Sequence, residues 1–387
     1  RKEREGRREG REGERSRASM MRWTVACIPR LSDADEDALE EGAGSKDSTA
    51  QATPQIRKIK PKKRIGSYEF TGQVLGAGAT AAVYHARCVN TGREVAIKCL
   101  PACRGPFPKE VLALRQVASS GHPHICEFLE HRRSKGVDYI VLDYCSGGEV
   151  YQSIEDYGAM DEVTVRQWSY DMVSGLRFVH EAGVVHRDLK LENFLFSTKG
   201  ARTIKLCDFG LSFVYPRIPD SNFMYPLLCA KCGTQSYTPP EMLAKYPEYE
   251  GFPVDIWALG VCIFSMCSGF FPVEEASEED WRFCRLVAAQ TEGVSSCMAI
   301  FGFYNQQCHF SPELIDLLDG MLQVEPSRRP TIQAIAKHGW FDCMALAANG
   351  DIRCTLLDTS FESEESMRTT HEDIINMMCS SDAAVSP

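Results

Sequence analysis

The sequence predicts an α+β fold in two lobes: a small antiparallel β lobe with one helix, then a large, mainly helical lobe. Two changes of hydrophobic rhythm predict it. Residues 68–101 read as short alternating or apolar runs broken by Gly and Asn-Thr-Gly, the signature of strands and tight turns. From Glu110 the apolar spacing becomes helical, and from about Val165 long helical patterns dominate.

In chain order, residues 1–17 (RKEREGRREGREGERSR) are charged and nearly free of apolar side chains, so nothing there offsets the entropy of ordering. The chain begins with Arg, and translation could begin at Met20 or Met21. Residues 32–64 are polar again, acidic first and ending in the basic run RKIKPKKR, which reads as a solvated linker, with nuclear targeting the lesser reading. Residues 1–67 are therefore expected to be a disordered extension, and order is expected from Tyr68. Val74 and Leu75 close a first strand, AVYHARC at 82–88 forms a second, NTG at 90–92 makes a turn, and EVAIKCL at 94–100 forms a third. A helix is expected from Glu110, after prolines at 101, 106 and 108. YIVLDY at 139–144 reads as a short buried strand, and VRQWSYDMVSGLRFVHEAG and VDIWALGVCIFSMCSG as the main helices of the large lobe. The small lobe is placed at about 68–142, the large lobe at about 146–341, and an acidic, mostly disordered tail at 342–387. HEDIINMM in that tail is amphipathic; a stray helix is the plainer reading, autoinhibition or a regulatory partner the sharper one.

The 387-residue chain is long enough to bury a sizeable core, and its 44% hydrophobic and 25% charged residues are ordinary for a globular protein. A net charge of −10 argues against nucleic acid or an acidic membrane as a general partner. No apolar run approaches the roughly 20 residues of a membrane span, and the expected location is cytoplasmic or nuclear. The 17 cysteines are scattered; the tightest pair, Cys229 and Cys232, lacks a second pair to complete a zinc site and reads as structural.

The chemistry concentrates in a few stretches. LGAGATAAVY at 75–84 starts as a phosphate cradle, with Gly76 and Gly78, but puts Ala81 where a third glycine would stand. VVHRDLKLENFLF at 184–196 gathers Asp188, Lys190 and Asn193 in a turn between apolar residues, and Asp208 precedes a Phe-Gly pair that allows a sharp bend. Asn and Asp oxygens are hard ligands suited to Mg²⁺ held by one or two carboxylates plus substrate phosphates. Lys98 is a candidate phosphate partner.

With VAIK, HRDLKLEN, DFG, PPE in place of the usual A-P-E, DIWALG and SRRPT in that order, residues 68–341 resemble a eukaryotic protein kinase. HRDLKLEN with Lys190, and CGTQSYTPPE with Thr234, resemble the serine/threonine kinases. GGEVYQSI, HPHI and DFGLS most resemble the calcium/calmodulin-dependent and energy-sensing branch. The resemblance implies transfer of the ATP γ-phosphate to Ser/Thr hydroxyls of protein substrates, with Mg²⁺. It makes Asp188 the group that accepts and orients the hydroxyl, with Lys190 neutralising the phosphoryl group and Thr234 beside them. Asn193 and Asp208 would hold the metal. Lys98 would bind phosphate and pair with Glu110. ATP would lie under Leu75, Gly76, Ala77, Gly78, Ala79, Thr80, Ala81, Ala82 and Val83. Its adenine would sit between Val83, Ala96 and Leu195, bonded to backbone at Asp143 and Cys145. The resemblance also pairs Glu241 with Arg329, sets Asp255 beneath the catalytic loop, leaves His186 as scaffold, and makes Glu149 and Glu192 acids for a basic substrate.

Four departures qualify it. Ala81 replaces a glycine. The segment from Lys98 to Glu110 is short and proline-rich, which puts their pairing in question. Ala230 stands where many relatives carry a phosphorylatable threonine, so Arg187 is expected to meet a carboxylate or nothing. Pro239 replaces the alanine of A-P-E. The alternative to an enzyme is a catalytically silent kinase-fold scaffold; the presence of Lys98, Asp188, Asn193 and Asp208 argues against it.

Overall fold

Alternation in EVAIKCL sets the geometry of the small lobe. Val95, Ile97 and Cys99 are fully buried on one face of their strand, which leaves Ala96 and Lys98 on the other. The computed structural model describes residues 63–78, 81–118, 121–200, 203–216 and 225–342. The expectations for the N-terminal 62 residues, for Ala79 and Thr80, and for the tail beyond Asp342 lie outside the described residues.

The small-lobe strands are β1 (Arg64–Ile65), β2 (Tyr68–Ala77), β3 (Ala82–Cys88), β4 (Glu94–Pro101), β5 (Phe128–Ser134) and β6 (Val137–Asp143). They form one antiparallel sheet in the order β1-β2-β3-β4-β6-β5, with helix α1 (Lys109–Ala118) between β4 and β5. The sheet starts before Tyr68: Ile65 pairs with Tyr68 around a turn where Gly66 has φ +57°, and Ile65 is buried. The basic run that precedes it, with a single apolar residue at its end, hid this two-residue strand. Opposed pairs Val83↔Lys98, Ala96↔Leu142 and Lys98↔Ile140 put Val83, Ala96 and Lys98 on one face of the sheet. The other face packs on Ile65, Tyr68, Ala86, Tyr139 and Val141.

The large lobe contains α2 (Val150–Tyr157), α3 (Glu162–Glu181), β7 (Val184–Val185), β8 (Phe194–Phe196), β9 (Ile204–Leu206) and β10 (Phe213–Val214). Then follow α4 (Pro240–Leu243), α5 (Gly251–Ser268), α6 (Trp281–Thr291), α7 (Ser296–Gly302), α8 (Pro312–Met321) and α9 (Ile332–Ile335). β7 pairs with β10 and β8 with β9, both antiparallel, so the loops between them come together. Helix α3 starts where the Asp161 carboxylate caps the Thr164 N–H. Helix α5, 18 residues long, is apolar enough by composition to cross a bilayer, but 83% of it is buried inside the lobe, against α3 and α8. It is the core helix, and it ends at Gly269 in the left-handed conformation. Its one buried carboxylate, Asp255, is spent on the site above it. Glu162 ties the lobe's far side: it accepts the Ser311 N–H at 2.9 Å, the Ser311 hydroxyl at 2.6 Å and the Trp340 indole N–H at 2.8 Å.

Candidate active site

Asp255 shapes the catalytic loop. The backbone N–H groups of His186 and Arg187 each donate to its carboxylate at 2.8 Å, and the His180 ring nitrogen lies at 2.9 Å. Arg187 is left-handed, with φ +63°, a conformation that disfavours a side-chain-bearing residue by about 1 kcal/mol. The two charged hydrogen bonds hold that turn and so aim Asp188.

Around Asp188 the side chains converge. Its Oδ1 accepts the Thr234 hydroxyl at 3.0 Å, and its Oδ2 lies 3.1 Å from the Lys190 ammonium. Lys190 donates to the same Thr234 oxygen at 2.9 Å. The amide of Asn193 donates to the Asp188 carbonyl at 2.7 Å, which fixes the orientation of a buried side chain. Thr234 sits next to Gly233, whose φ is +98°; a Cβ there would stand 3.0 Å from the Arg187 carbonyl. Glycine is what lets the activation segment approach the catalytic loop.

The second cluster crosses the lobes. Lys98 Nζ lies 3.0 and 2.9 Å from the two oxygens of Glu110 and 2.8 Å from Asp208 Oδ1. The Lys98–Glu110 pairing put in question by the short connecting segment is therefore closed, with α1 beginning at Lys109, directly after Pro108. Asp208 has φ +58°, and the Gly210 N–H donates to its Oδ1 at 3.0 Å. A Cβ on Gly210 would come within 3.0 Å of that oxygen and 3.2 Å of Lys98 Nζ. Burial disfavours the Lys98 charge, yet the two carboxylates outweigh it and raise its pKa. Burial raises Glu110, and Lys98 only partly counters it. Asp208 stands against burial through Lys98 and the Gly210 N–H, and its carboxyl is lowered. Phe209 is fully buried against His186, which donates or accepts at the Cys207 carbonyl over 3.0 Å; His186 is scaffold, as the resemblance implied.

The cradle is a hairpin. Gly76 pairs with Val83 and Ala77 with Ala82, and the Gly78 N–H donates to the Ala81 carbonyl at 2.9 Å. Among the described residues, a Cβ at Gly76 would touch nothing within 4 Å, and one at Gly78 only the Ala81 carbonyl at 3.8 Å. Neither glycine is demanded by the chain's own packing, so the space above them is open to a ligand. Leu75, Val83, Ala96 and Leu195 are all half-buried, as an adenine slot requires. Asp143 donates its N–H to the Glu127 carbonyl at 2.9 Å, so that backbone donor is already engaged within the sheet. The Asp143 carboxylate turns away to Lys205 at 2.8 Å and Arg93 at 3.0 Å. Cys145 follows on the same linker, its sulfur 3.4 Å from that of Cys126.

Asn193, held in the Asp188 turn, and Asp208, held at Lys98, supply hard oxygens. No group of three or more His, Cys, Asp or Glu side chains suited to a metal occurs among the described residues. Two such ligands fit an ion that completes its shell from phosphate and water, as Mg²⁺ does, and not a caged one. Cys229 is exposed and Cys232 half-buried, both as free thiols.

Arg329 pairs with Glu241 through two contacts of 2.6 and 2.9 Å, as expected. Arg187 departs from expectation: its Nε donates to the Leu211 carbonyl at 2.8 Å and its guanidinium faces the Phe213 ring, so it meets neither a carboxylate nor nothing. A backbone carbonyl as partner leaves no sequence signal.

Comparison with known proteins agrees with this geometry. Residues 69–341 match the protein kinase domain family. The CBL-interacting serine/threonine-protein kinase 13 of Arabidopsis thaliana is 35% identical over 284 residues, covering 72% of this chain and 51% of the relative. The putative CBL-interacting protein kinase 13 of Oryza sativa subsp. japonica is 34% identical over 289 residues, covering 73% and 52%. The CBL-interacting serine/threonine-protein kinase 12 of Arabidopsis thaliana is 33% identical over 295 residues, covering 74% and 55%. The chain spans about half the length of these curated relatives. The Lys98–Glu110–Asp208 cluster, the Asp188 turn and the family match together place the chain in the protein kinase domain family.

Proposed function

We propose that the chain transfers the γ-phosphate of ATP to serine and threonine hydroxyls of proteins. The observation that carries this is the double convergence: Lys98 between Glu110 and Asp208, and Asp188 between Lys190, Thr234 and Asn193. Phosphoryl transfer has a loose transition state, so the chain's task is to position groups and to balance charge. Asp188 orients the hydroxyl and takes its proton. Lys190, a cation beside it, offsets charge on the moving phosphoryl group. Lys98, charged throughout the physiological range, holds the nonreacting phosphates. Asn193 and Asp208 would hold Mg²⁺, which supplies further neutralisation of phosphate charge when bound.

The substrate reading is a preference for basic sites. Burial raises the Glu149 carboxyl, and the neighbouring Glu192 charge raises it further; burial likewise raises Glu192. The two carboxylates, Glu149 exposed and Glu192 half-buried, gain from an arginine placed between them. CBL interaction belongs to the relatives' names; for this chain we propose a regulatory protein partner, with the 371–378 patch as its docking or autoinhibitory segment.

The test is phosphate transfer from Mg·ATP to a basic serine peptide by the full chain, beside Asp188→Asn. Transfer by the parent and at least ~10²-fold less by the variant is expected. A parent that binds Mg·ATP and transfers nothing would favour the scaffold instead. Equal turnover of peptides with and without upstream arginine would remove the basic preference.

A further inference from the structure

Glu110 follows Lys98 by twelve positions, and the stretch between them starts helix only at Lys109. A short, proline-rich connection of that kind does not by itself fix where Glu110 points. Something else must.

On the same face of the sheet as Lys98, toward the end of β4, lies a buried carboxylate that the phosphate site does not use. Asp138, on β6, is fully buried, and it faces the end of β4 through the pair Leu100↔Asp138. Its Oδ1 accepts from Arg133 Nε at 2.7 Å and contacts the His131 ring nitrogen at 2.8 Å. Its Oδ2 accepts from Arg133 Nη2 at 2.8 Å and from the Cys103 backbone N–H at 3.2 Å. Arg133 completes the grip by donating from Nη1 to the Gly105 carbonyl at 2.7 Å, with Nη2 3.1 Å from the Cys103 sulfur. The pair thus holds both a donor and an acceptor of the connecting segment's backbone. Two weaker holds flank it. The Ala102 N–H donates to the Gly136 carbonyl at 3.0 Å, and the Arg115 guanidinium, one helix face further on, lies 4.6 Å from the centre of the Phe107 ring. Pro108 is buried, and the Val111 N–H bonds its carbonyl at 3.0 Å to open the helix. Burial works against the Asp138 charge, but Arg133, His131 and the Cys103 N–H outweigh it and hold the carboxyl low, so the grip is charged at neutral pH.

We propose that Asp138 and Arg133 are positioning residues for phosphoryl transfer: they pin residues 103–105 to the β5–β6 hairpin and thereby seat Glu110 against Lys98. This rests on the kinase reading of the site, because the seat matters to turnover only if the Lys98–Glu110 pair does. The arrangement does the work that an extra helical turn before Glu110 would do, by clamping the backbone where that turn is missing.

The test uses the full chain with Asp138→Asn and, because a buried substitution can cost the fold, Arg133→Met, whose side chain is 32% exposed. Loss of a charged hydrogen bond shifts a local opening equilibrium about tenfold. Amide exchange in 103–112 should therefore rise about tenfold, while exchange in β4, Glu94–Pro101, stays unchanged. kcat should fall by a similar factor with the KM of the peptide unchanged. In a double-mutant cycle, Asp138→Asn added to Glu110→Gln should cost less than about twofold beyond Glu110→Gln alone, since both act through one contact. General loosening would raise exchange in β4 as well, and independent action would make the two losses multiply; either result overturns the proposal. Unchanged exchange in 103–112 in both variants overturns it too. If the parent transferred no phosphate, the kinase reading would fall, while the exchange data would still decide whether the clamp seats Glu110.

Discussion

Replacing Asp255 by Asn keeps shape and removes one charge, and its consequences can be worked out atom by atom. Three donors face the carboxylate: two backbone N–H groups at 2.8 Å and the His180 ring nitrogen at 2.9 Å. Oδ2 serves His186 and His180, and Oδ1 serves Arg187. An amide has one accepting oxygen, so either orientation turns an NH₂ toward a backbone N–H. That leaves one buried donor unpaired, at about 1–3 kcal/mol, and weakens the remaining bonds from charged to neutral, at about 1 kcal/mol each. Relief of carboxylate desolvation offsets part of this. The net loss comes to about 2–4 kcal/mol, within the reserve of an ordinary domain. The backbone at Arg187, φ +63°, then loses what holds it, and Asp188 moves with it. A displacement near 1 Å in a positioned group is worth about 10²-fold in rate. Urea unfolding should show a lower midpoint with unchanged slope, and steady-state assays a kcat reduced by about that factor. A variant within about 0.5 kcal/mol and twofold of the parent would refute the reasoning.

Two further outcomes follow from local geometry. A methyl on Gly76 touches nothing within 4 Å among the described residues, so Gly76→Ala should leave the unfolding free energy within about 0.5 kcal/mol while raising the KM for ATP several-fold, as denaturation and nucleotide titration would show. Burial raises Glu162, but the Ser311 hydroxyl and N–H, the Trp340 indole and Arg166 outweigh it, so its folded carboxyl is lowered below its unfolded value. Its contribution is therefore complete above about pH 4.3 and disappears as pH falls through the lower folded value. Urea midpoints from pH 7 to 3 should fall more steeply for the parent than for Glu162→Gln, which should begin about 1–2 kcal/mol less stable at pH 7.

What was legible in the sequence is what neighbours in the chain decide. β3 spans the residues AVYHARC as read, α1 starts directly after Pro108, and Asp188, Lys190 and Asn193 meet because one turn carries all three. What was hidden depends on partners far apart in the chain. FLEHRRS, which forms β5, shows no apolar alternation past Leu129, because one face of the strand carries the charges that grip Asp138. Arg187 engages a backbone carbonyl, which every residue possesses. The Lys98–Glu110 pairing was in doubt because its geometry is set from outside the segment, by Arg133 and Asp138. The disagreement at Ile65 is simpler: one apolar residue at the end of a basic run gives no period to read.

The buried helix Gly251–Ser268 has a bearing on how the chain is made. Its apolar surface is covered on one side by Glu162–Glu181, synthesised earlier, and on the other by Pro312–Met321, synthesised later. On a ribosome producing some 5–20 residues each second, this helix stays bare for seconds after it emerges. During that interval it offers a greasy rod long enough to attract other apolar surfaces, a natural client for a holding chaperone. The core of the large lobe is complete only once Pro312–Met321 has been made, so its yield in a cell depends on the traffic around the nascent chain as well as on the stability of the finished protein.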